Sequence, residues 1–123
     1  MADQKYDFGR GARMMVSRAY LGLSREEMAA ALGVRNLSSY QRWEGGQNGI
    51  PVGIWAEVDK LLERFDQQVT DLLEKAGGGP LRVQVTRGRT KDRPFPGMWL
   101  RVVSEAMREN PKIEPVFPED DRP

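Results

Sequence analysis

Neither cysteine nor histidine occurs among the 123 residues of this chain. Without them there is no disulfide, no thiolate or imidazole metal site, no cysteine nucleophile and no histidine-based triad. Any catalysis would rest on carboxylates, lysine, tyrosine or serine alone. The acidic runs offer little for that purpose. Glu26 and Glu27 stand at an expected helix start, where negative charge favours the helix dipole, and Glu119, Asp120 and Asp121 lie in a proline-bounded tail, so both runs read as solvated. No apolar run approaches the roughly 20 residues of a membrane helix, and residues 1–7 lack the apolar core of a secretory signal. The expectation is a cytoplasmic protein that is not an enzyme, with no metal, no cofactor and no membrane partner.

An excess of either charge is missing too, since 19 basic residues face 18 acidic ones and leave a net charge of +1. That argues against a protein that coats DNA indiscriminately. The charge is nevertheless sorted along the chain. Residues 1–50 carry seven Lys and Arg against five Asp and Glu, residues 51–76 three against six, residues 77–117 eight against four, and residues 118–123 one against three. Sorted charge of small total suits a site-specific binder with few phosphate contacts. The length allows one domain of ordinary size or two small ones.

The rest of the chain is organised around Leu23 to Gly46. Ser24 followed by Glu27 is a capping box, so a helix is expected to begin at Arg25, carry Met28, Ala29 and Leu32 on one face, and close at Gly33. A second helix follows. At about 100° per residue, Leu37, Trp43 and Glu44 lie within about 60° of Tyr40 and form its inner side. Arg35, Ser38, Arg42 and Gly45 fall opposite. Small hydroxyls let such a helix approach another surface closely, and an arginine one turn on can reach a guanine edge. The outer face is the kind that fits a DNA major groove.

On either side the pattern is looser. Residues 1–6 have no periodicity and read as frayed, with Asp7 the N-cap of a first helix that turns Ala12, Met15, Val16, Ala19, Tyr20 and Leu23 inward. Gly9 and Gly11 weaken its first turn, leaving Arg10 and Arg13 to project as phosphate contacts or to be solvated. Gly45 to Pro51 is a loop whose backbone N–H groups, with Gln47 or Asn48, suit a phosphate. Pro51 opens a long stripe of Ile54, Val58, Leu61, Phe65, Val69, Leu72 and Ala76, read as one extended helix or two broken near Asp66–Gln68. Gly77–Pro80 marks a boundary. Beyond it come a strand through Leu81, Val83 and Val85, a basic loop from Arg87 to Arg93, a helix with Trp99, Val102, Val103, Ala106 and Met107 on one face, and a closing strand from Lys112 to Phe117.

Gly22, Leu23 and Ser24, then Glu27, Met28 and Ala29, then Leu32, Gly33 and Val34, and finally Trp43 to Gly46 with Ile50 and Pro51 resemble the DNA-binding domain of Cro and the phage repressors, the Xre family. The resemblance spans about residues 9–65. The Gln-Arg-Trp-Glu-x-Gly pattern with the later Ile-Pro is similar to a subgroup, the YdiL-like proteins and the anti-CRISPR-associated autoregulators, in which a small C-terminal dimerisation domain follows. By this resemblance Ala29 sits where two helices cross, and Arg18 and Glu44 form an internal ion pair. From Gly33 to Glu44 the chain is one residue longer than the family pattern, with the extra residue placed among Arg35, Asn36 and Leu37.

The expected fold is mainly α. A lambda-repressor-like helix-turn-helix bundle with a long fourth, or fourth and fifth, helix occupies residues 1–76, a Gly/Pro linker 77–80, a small α+β (β-α-β) dimerisation domain 81–118 and an acidic tail 119–123. The implied function is sequence-specific binding of double-stranded DNA as a transcriptional regulator. The resemblance points to a repressor, autoregulatory in a phage or mobile element, acting as a homodimer on an inverted repeat. Arg42, Ser38, Arg35, Gln41 and Ser39 are the expected base readers, with Ser24, Arg25, Gln47, Asn48, Arg10 and Arg13 on phosphates, and Trp99, Phe95, Val103 and Leu72 at the dimer interface. The alternative is a protein-interaction module, an antitoxin or antirepressor, that uses the same fold to hold another protein.

Overall fold

A computed structural model of the chain describes residues 5–122. Among these the architecture is mainly helical, with two small two-stranded sheets. In chain order the elements are β1 (Tyr6–Asp7), α1 (Gly11–Leu21), α2 (Arg25–Ala31), α3 (Leu37–Glu44), β2 (Ile50–Pro51), α4 (Ile54–Ala76), β3 (Leu81–Gln84), α5 (Pro96–Glu109) and β4 (Ile113–Val116), followed by a 3-10 turn at Pro118–Asp120. They form two compact units, the first ending at Leu62 and the second beginning at Glu63. The division falls inside α4 rather than at Gly77–Pro80. That helix is continuous over 23 residues, with no break at Asp66–Gln68. Its deepest side chains, Val58, Phe65 and Leu72, recur every seven residues, which is two turns.

In the first unit, α2 starts behind the Ser24 capping box. The Ser24 hydroxyl accepts from the Glu27 N–H at 3.1 Å, and the Glu27 carboxylate accepts from the Ser24 N–H at 2.9 Å. Gly33 ends the helix in the left-handed region at φ +74°, with its own N–H on the Ala30 carbonyl and the Val34 N–H on that of Ala29. These two bonds satisfy carbonyls the helix leaves open and aim the chain into α3. Met28, Ala29 and Leu32 are buried, as are Tyr40 and Trp43 of α3.

The first helix departs from the expected pattern. Asp7 is not its N-cap, because Tyr6 and Asp7 pair antiparallel with Pro51 and Ile50. Residues 1–4 of the stretch read as frayed lie outside the described residues. Pro51, in turn, belongs to β2, and α4 opens only at Ile54. On α1 the buried residues are Gly11, Met14 and Leu21, whereas Ala12, Met15, Val16, Ala19 and Tyr20 face outward and Val16 is 65% exposed. Leu23, beyond the helix, is buried. The reason is close packing at the helix start. A Cβ on Gly11 would lie 2.6 Å from the Glu44 carbonyl oxygen and 2.7 Å from that of Trp43, so this position admits no side chain.

In the second unit β3 and β4 run parallel, with Leu81 opposite Ile113 and Gln84 opposite Val116. Parallel neighbours need a crossover, and α5 supplies it. Pro96 stands in the first turn of α5, and Met98, Val102, Val103 and Ala106 are buried with Val83, Val85 and Ile113. The Asn110 side chain closes the other end by donating to the Gly79 carbonyl at 2.9 Å. Of the four residues expected at a dimer interface, Val103 is only 2% exposed and Leu72 is also buried. Trp99 and Phe95 are half-buried, and Trp99 donates its indole N–H to the Gln84 carbonyl at 2.8 Å while Arg93 stacks on its ring at 3.8 Å. The side chains of Val103 and Leu72 are thus already covered within the chain, and Trp99 ties α5 to β3.

The acidic tail is solvated as expected, with Glu119 and Asp120 exposed, and it also carries surface ion pairs. Asp121 pairs with Arg82 at 3.5 Å and accepts from Gln84 at 2.8 Å, while Glu119 pairs with Arg87 at 2.6 Å. Arg87 also stacks on Phe117 at 3.7 Å, so two cations of the Arg87–Arg93 loop are held within the unit. Pro123 lies outside the described residues.

Gly11→Ala should lower stability by about 2 kcal/mol, as overpacking against backbone does, and a thermal midpoint equal to that of the parent chain would show that α1 can move off α3 freely.

Candidate nucleic-acid interface

The inner side of α3 is held by charge as well as by packing. The Glu44 side chain is only 4% exposed, and an unpaired carboxylate there would be costly. It accepts from Arg18 twice, Nε to Oε2 at 2.7 Å and Nη2 to Oε1 at 3.2 Å, in the forked geometry that suits guanidinium and carboxylate. The Tyr40 hydroxyl donates to the same Oε2, and Arg25 Nε stands 3.6 Å from Oε1. A third Arg18 nitrogen donates to the Leu23 carbonyl at 3.0 Å. One arginine of α1 thereby joins the end of α3 to the turn before α2. The Tyr40 ring meets Trp43 edge-on, with centroids 5.9 Å apart.

Titration follows this arrangement. Burial alone pushes the Glu44 carboxyl upward, but the bonds from Arg18 and Tyr40 and the charges of Arg18 and Arg25 outweigh it and hold the pKa below the ordinary value. Tyr40 moves well above its usual range, first through burial and then through its bond to Glu44. The Arg18 guanidinium is raised, chiefly by its hydrogen bond to Glu44 and against the effect of burial.

With its inner side fixed, α3 presents Ser38, Gln41 and Arg42 as an exposed polar face. Arg35 is exposed in the turn just before it. Asn36 is the N-cap of α3, its side chain accepting from the Ser38 N–H at 2.9 Å, so the helix begins at Leu37. Ser39 stands apart from the other four. It is half-buried and lines a cleft of about 450 Å³ with Tyr6, Phe8, Trp43, Gln47, Asn48 and Gly49.

The six residues expected on phosphates are less uniform. Gln47 and Asn48 are exposed at the end of α3, but the backbone N–H groups of both turn inward to the Arg42 carbonyl, at 3.0 and 3.4 Å. The N–H groups of Gly45 and Gly46 go to Gln41 and Trp43 in the same way, so the loop offers its amide side chains rather than a backbone cradle. Ser24 is exposed with its hydroxyl accepting from Glu27, and Arg25 divides between solvent and Glu44. Arg10 pairs with Asp7 at 3.5 Å, and Arg13 lies over the Trp55 ring at 5.9 Å. Both line a smaller pocket of about 200 Å³ with Asp7, Trp55 and Asp59, so neither projects freely from a loose helix start.

No protein-family model and no curated protein matches the chain. Among the described residues there is no group of acidic side chains that could hold a metal ion, and no helix is long and apolar enough to cross a membrane. Two features of the site escape sequence reasoning. The Tyr6–Phe8 arm reaches the cleft only because β1 pairs with a strand more than 40 residues away, and Arg25 approaches Glu44 only through the packing of α2 against α3. Neither leaves a local signal.

Arg18→Ala should lower stability by about 3 kcal/mol, because it strands a buried carboxylate; an unchanged thermal midpoint would mean Tyr40 and Arg25 suffice. The acid limb tests the same cluster. Since the folded chain lowers the Glu44 pKa from 4.5, its contribution is complete above that pH and is lost as pH falls below it through the depressed value. The stability gap between the parent and Glu44→Gln should therefore narrow on acidification below pH 4.5, and a gap independent of pH would assign Glu44 no electrostatic role.

Proposed function

We propose that the chain is a sequence-specific double-stranded DNA-binding transcriptional regulator of the Cro and phage-repressor type, acting as a homodimeric repressor. The observation that carries this reading is the exposed Ser38–Gln41–Arg42 face on a short helix whose opposite side is anchored through Glu44. α2 and α3, joined across Gly33, act as the helix-turn-helix, and α3 enters the major groove. There Arg42 donates in bidentate fashion to a guanine edge, Ser38 permits close approach, and Gln41 and Arg35 reach neighbouring bases. Ser24, Arg25 and the amides of Gln47 and Asn48 meet phosphates and set the register. A rigid α3 suits this task, since a side chain reads a base edge only when its helix is held in one orientation.

The second unit offers support for the homodimer. Among the described residues β3 and β4 form a sheet of only two strands, whose edges remain open to a further strand. A second copy pairing at that edge would extend the sheet, and a twofold-symmetric dimer corresponds to an inverted-repeat operator. Repression follows where the repeat overlaps a promoter.

One observation favours a second reading, that of a protein-interaction module. Met15, Val16 and Tyr20 of α1 are large apolar side chains left exposed, and exposed apolar surface of that kind suits a protein partner.

Electrophoretic mobility shift on the DNA upstream of the chain's own coding region, with scrambled competitor and across salt concentrations, separates the two readings. A shift that survives competitor is the expected result. Binding indifferent to sequence, or none at all, would leave the exposed apolar residues of α1 and a protein partner as the better account. Within a specific complex, Arg42→Ala should relax preference at one base pair and lose about 1–3 kcal/mol there; an unaltered preference would remove Arg42 from the readers.

A further inference from the structure

We infer that the cleft between the N-terminal arm and the loop after α3 seats a sugar-phosphate unit of the bound DNA strand, with the rings of Phe8 and Tyr6 against the deoxyribose. The inference rests on the function proposed above and adds to it a contact from a part of the chain with no assigned role. Its first ground is position. Ser39 forms one wall, next to Ser38 and three residues before Arg42, so the cleft opens beside the reading face of α3.

Its second ground is that two aromatic rings are held in water by a built support. Phe8 is 71% exposed and Tyr6 is 50% exposed. They do not hang from a free end, because β1 pairs with β2 and the Val52 N–H donates to the Lys5 carbonyl at 3.1 Å. Gly49 lies directly under the Phe8 ring, where a Cβ would come within 2.8 Å of it, so a residue without a side chain lets the ring rest on the loop. On the other side, the bonds from the Gln47 and Asn48 N–H groups to the Arg42 carbonyl fix where the two amide side chains start.

The third ground is chemistry. The lining has no charged side chain, only the rings of Tyr6, Phe8 and Trp43, the hydroxyls of Ser39 and Tyr6, and two amides beside Gly49. Amide and hydroxyl donors suit phosphate oxygens, and an aromatic face suits the apolar side of a deoxyribose. A base is the poorer occupant, because a paired base would have to leave the helix to stack here. At about 450 Å³ the cleft has the size of a small-ligand site, sufficient for one such unit.

The test uses the full chain on a duplex to which it binds specifically, comparing the parent with Phe8→Ala by binding titration and hydroxyl-radical footprint, which reports deoxyribose accessibility. Phe8→Ala should weaken binding roughly tenfold, about what burial of one phenylalanine is worth, with base preference and salt dependence unchanged because no charge is lost. One or two sugars flanking each half-site, protected by the parent, should become cleavable. Phe8→Leu, which keeps the bulk, should recover most of the affinity, and equal thermal midpoints for all three chains would separate a lost contact from a lost fold. Parent affinity and footprint in Phe8→Ala would overturn the inference while leaving the proposed function standing. A changed base preference would overturn it as well, by turning the ring into a base reader. If the parent forms no specific complex with any duplex, the functional reading fails, and this inference falls with it before any variant is compared.

Discussion

The first unit depends on one buried carboxylate. Glu44 can sit at the end of α3, almost out of water, only while Arg18, Tyr40 and Arg25 supply donors and opposite charge. Those groups come from α1, α3 and α2, so satisfying a single side chain brings three helices to one point. The same meeting requires α1 to start against the carbonyls of Trp43 and Glu44, which only a glycine at position 11 permits. Low dielectric makes the arrangement demanding, since each missing partner would leave a charge or polar group unpaired.

Because its back is held this way, α3 has a fixed front. Ser38, Gln41 and Arg42 project from a helix of eight residues, too short to be stable by itself. Its orientation comes from tertiary contacts and not from propensity. The β1 arm works on the same principle at smaller scale. Two paired residues and one glycine hold Tyr6 and Phe8 where neither local sequence nor apolar burial would keep them. In the second unit Arg82, Arg87 and Arg93 are engaged at the surface, by the tail or by aromatic rings. Its basic loop therefore presents fewer free cations than its composition implies.

How much of this was legible differs from helix to helix. α2 and α3 could be read because their signals are short-range. A capping box, a left-handed glycine and the angular position of Tyr40 all act within one or two turns. On α1 the same reasoning chose the wrong face, since two stripes compete there. Met15, Val16, Ala19 and Tyr20 are the more apolar on paper, yet the buried side carries Gly11, Met14 and Leu21, with Arg18 turned toward Glu44. A hydropathy pattern assigns glycine and arginine outward. It has no means of knowing that a close backbone contact wants the one and a buried carboxylate the other. The Gly77–Pro80 stretch reads as a boundary between domains by composition, whereas the compact units divide within α4, after Leu62.

The sequence by itself determined that disulfide, thiolate and imidazole chemistry is excluded, where α2 begins, that the chain turns at Gly33, and which side of α3 faces outward. These are consequences of residue type and of interactions within a few positions of one another. Only the tertiary structure decided which face of α1 is buried, that Pro51 belongs to a strand, that the acidic tail folds back onto Arg82 and Arg87, and that Tyr6 and Phe8 line a cleft beside Ser39. Each of these joins residues tens of positions apart. Such contacts form when a buried charge finds its partner or two backbones meet without a side chain between them, and neither condition leaves a periodic trace in the chain.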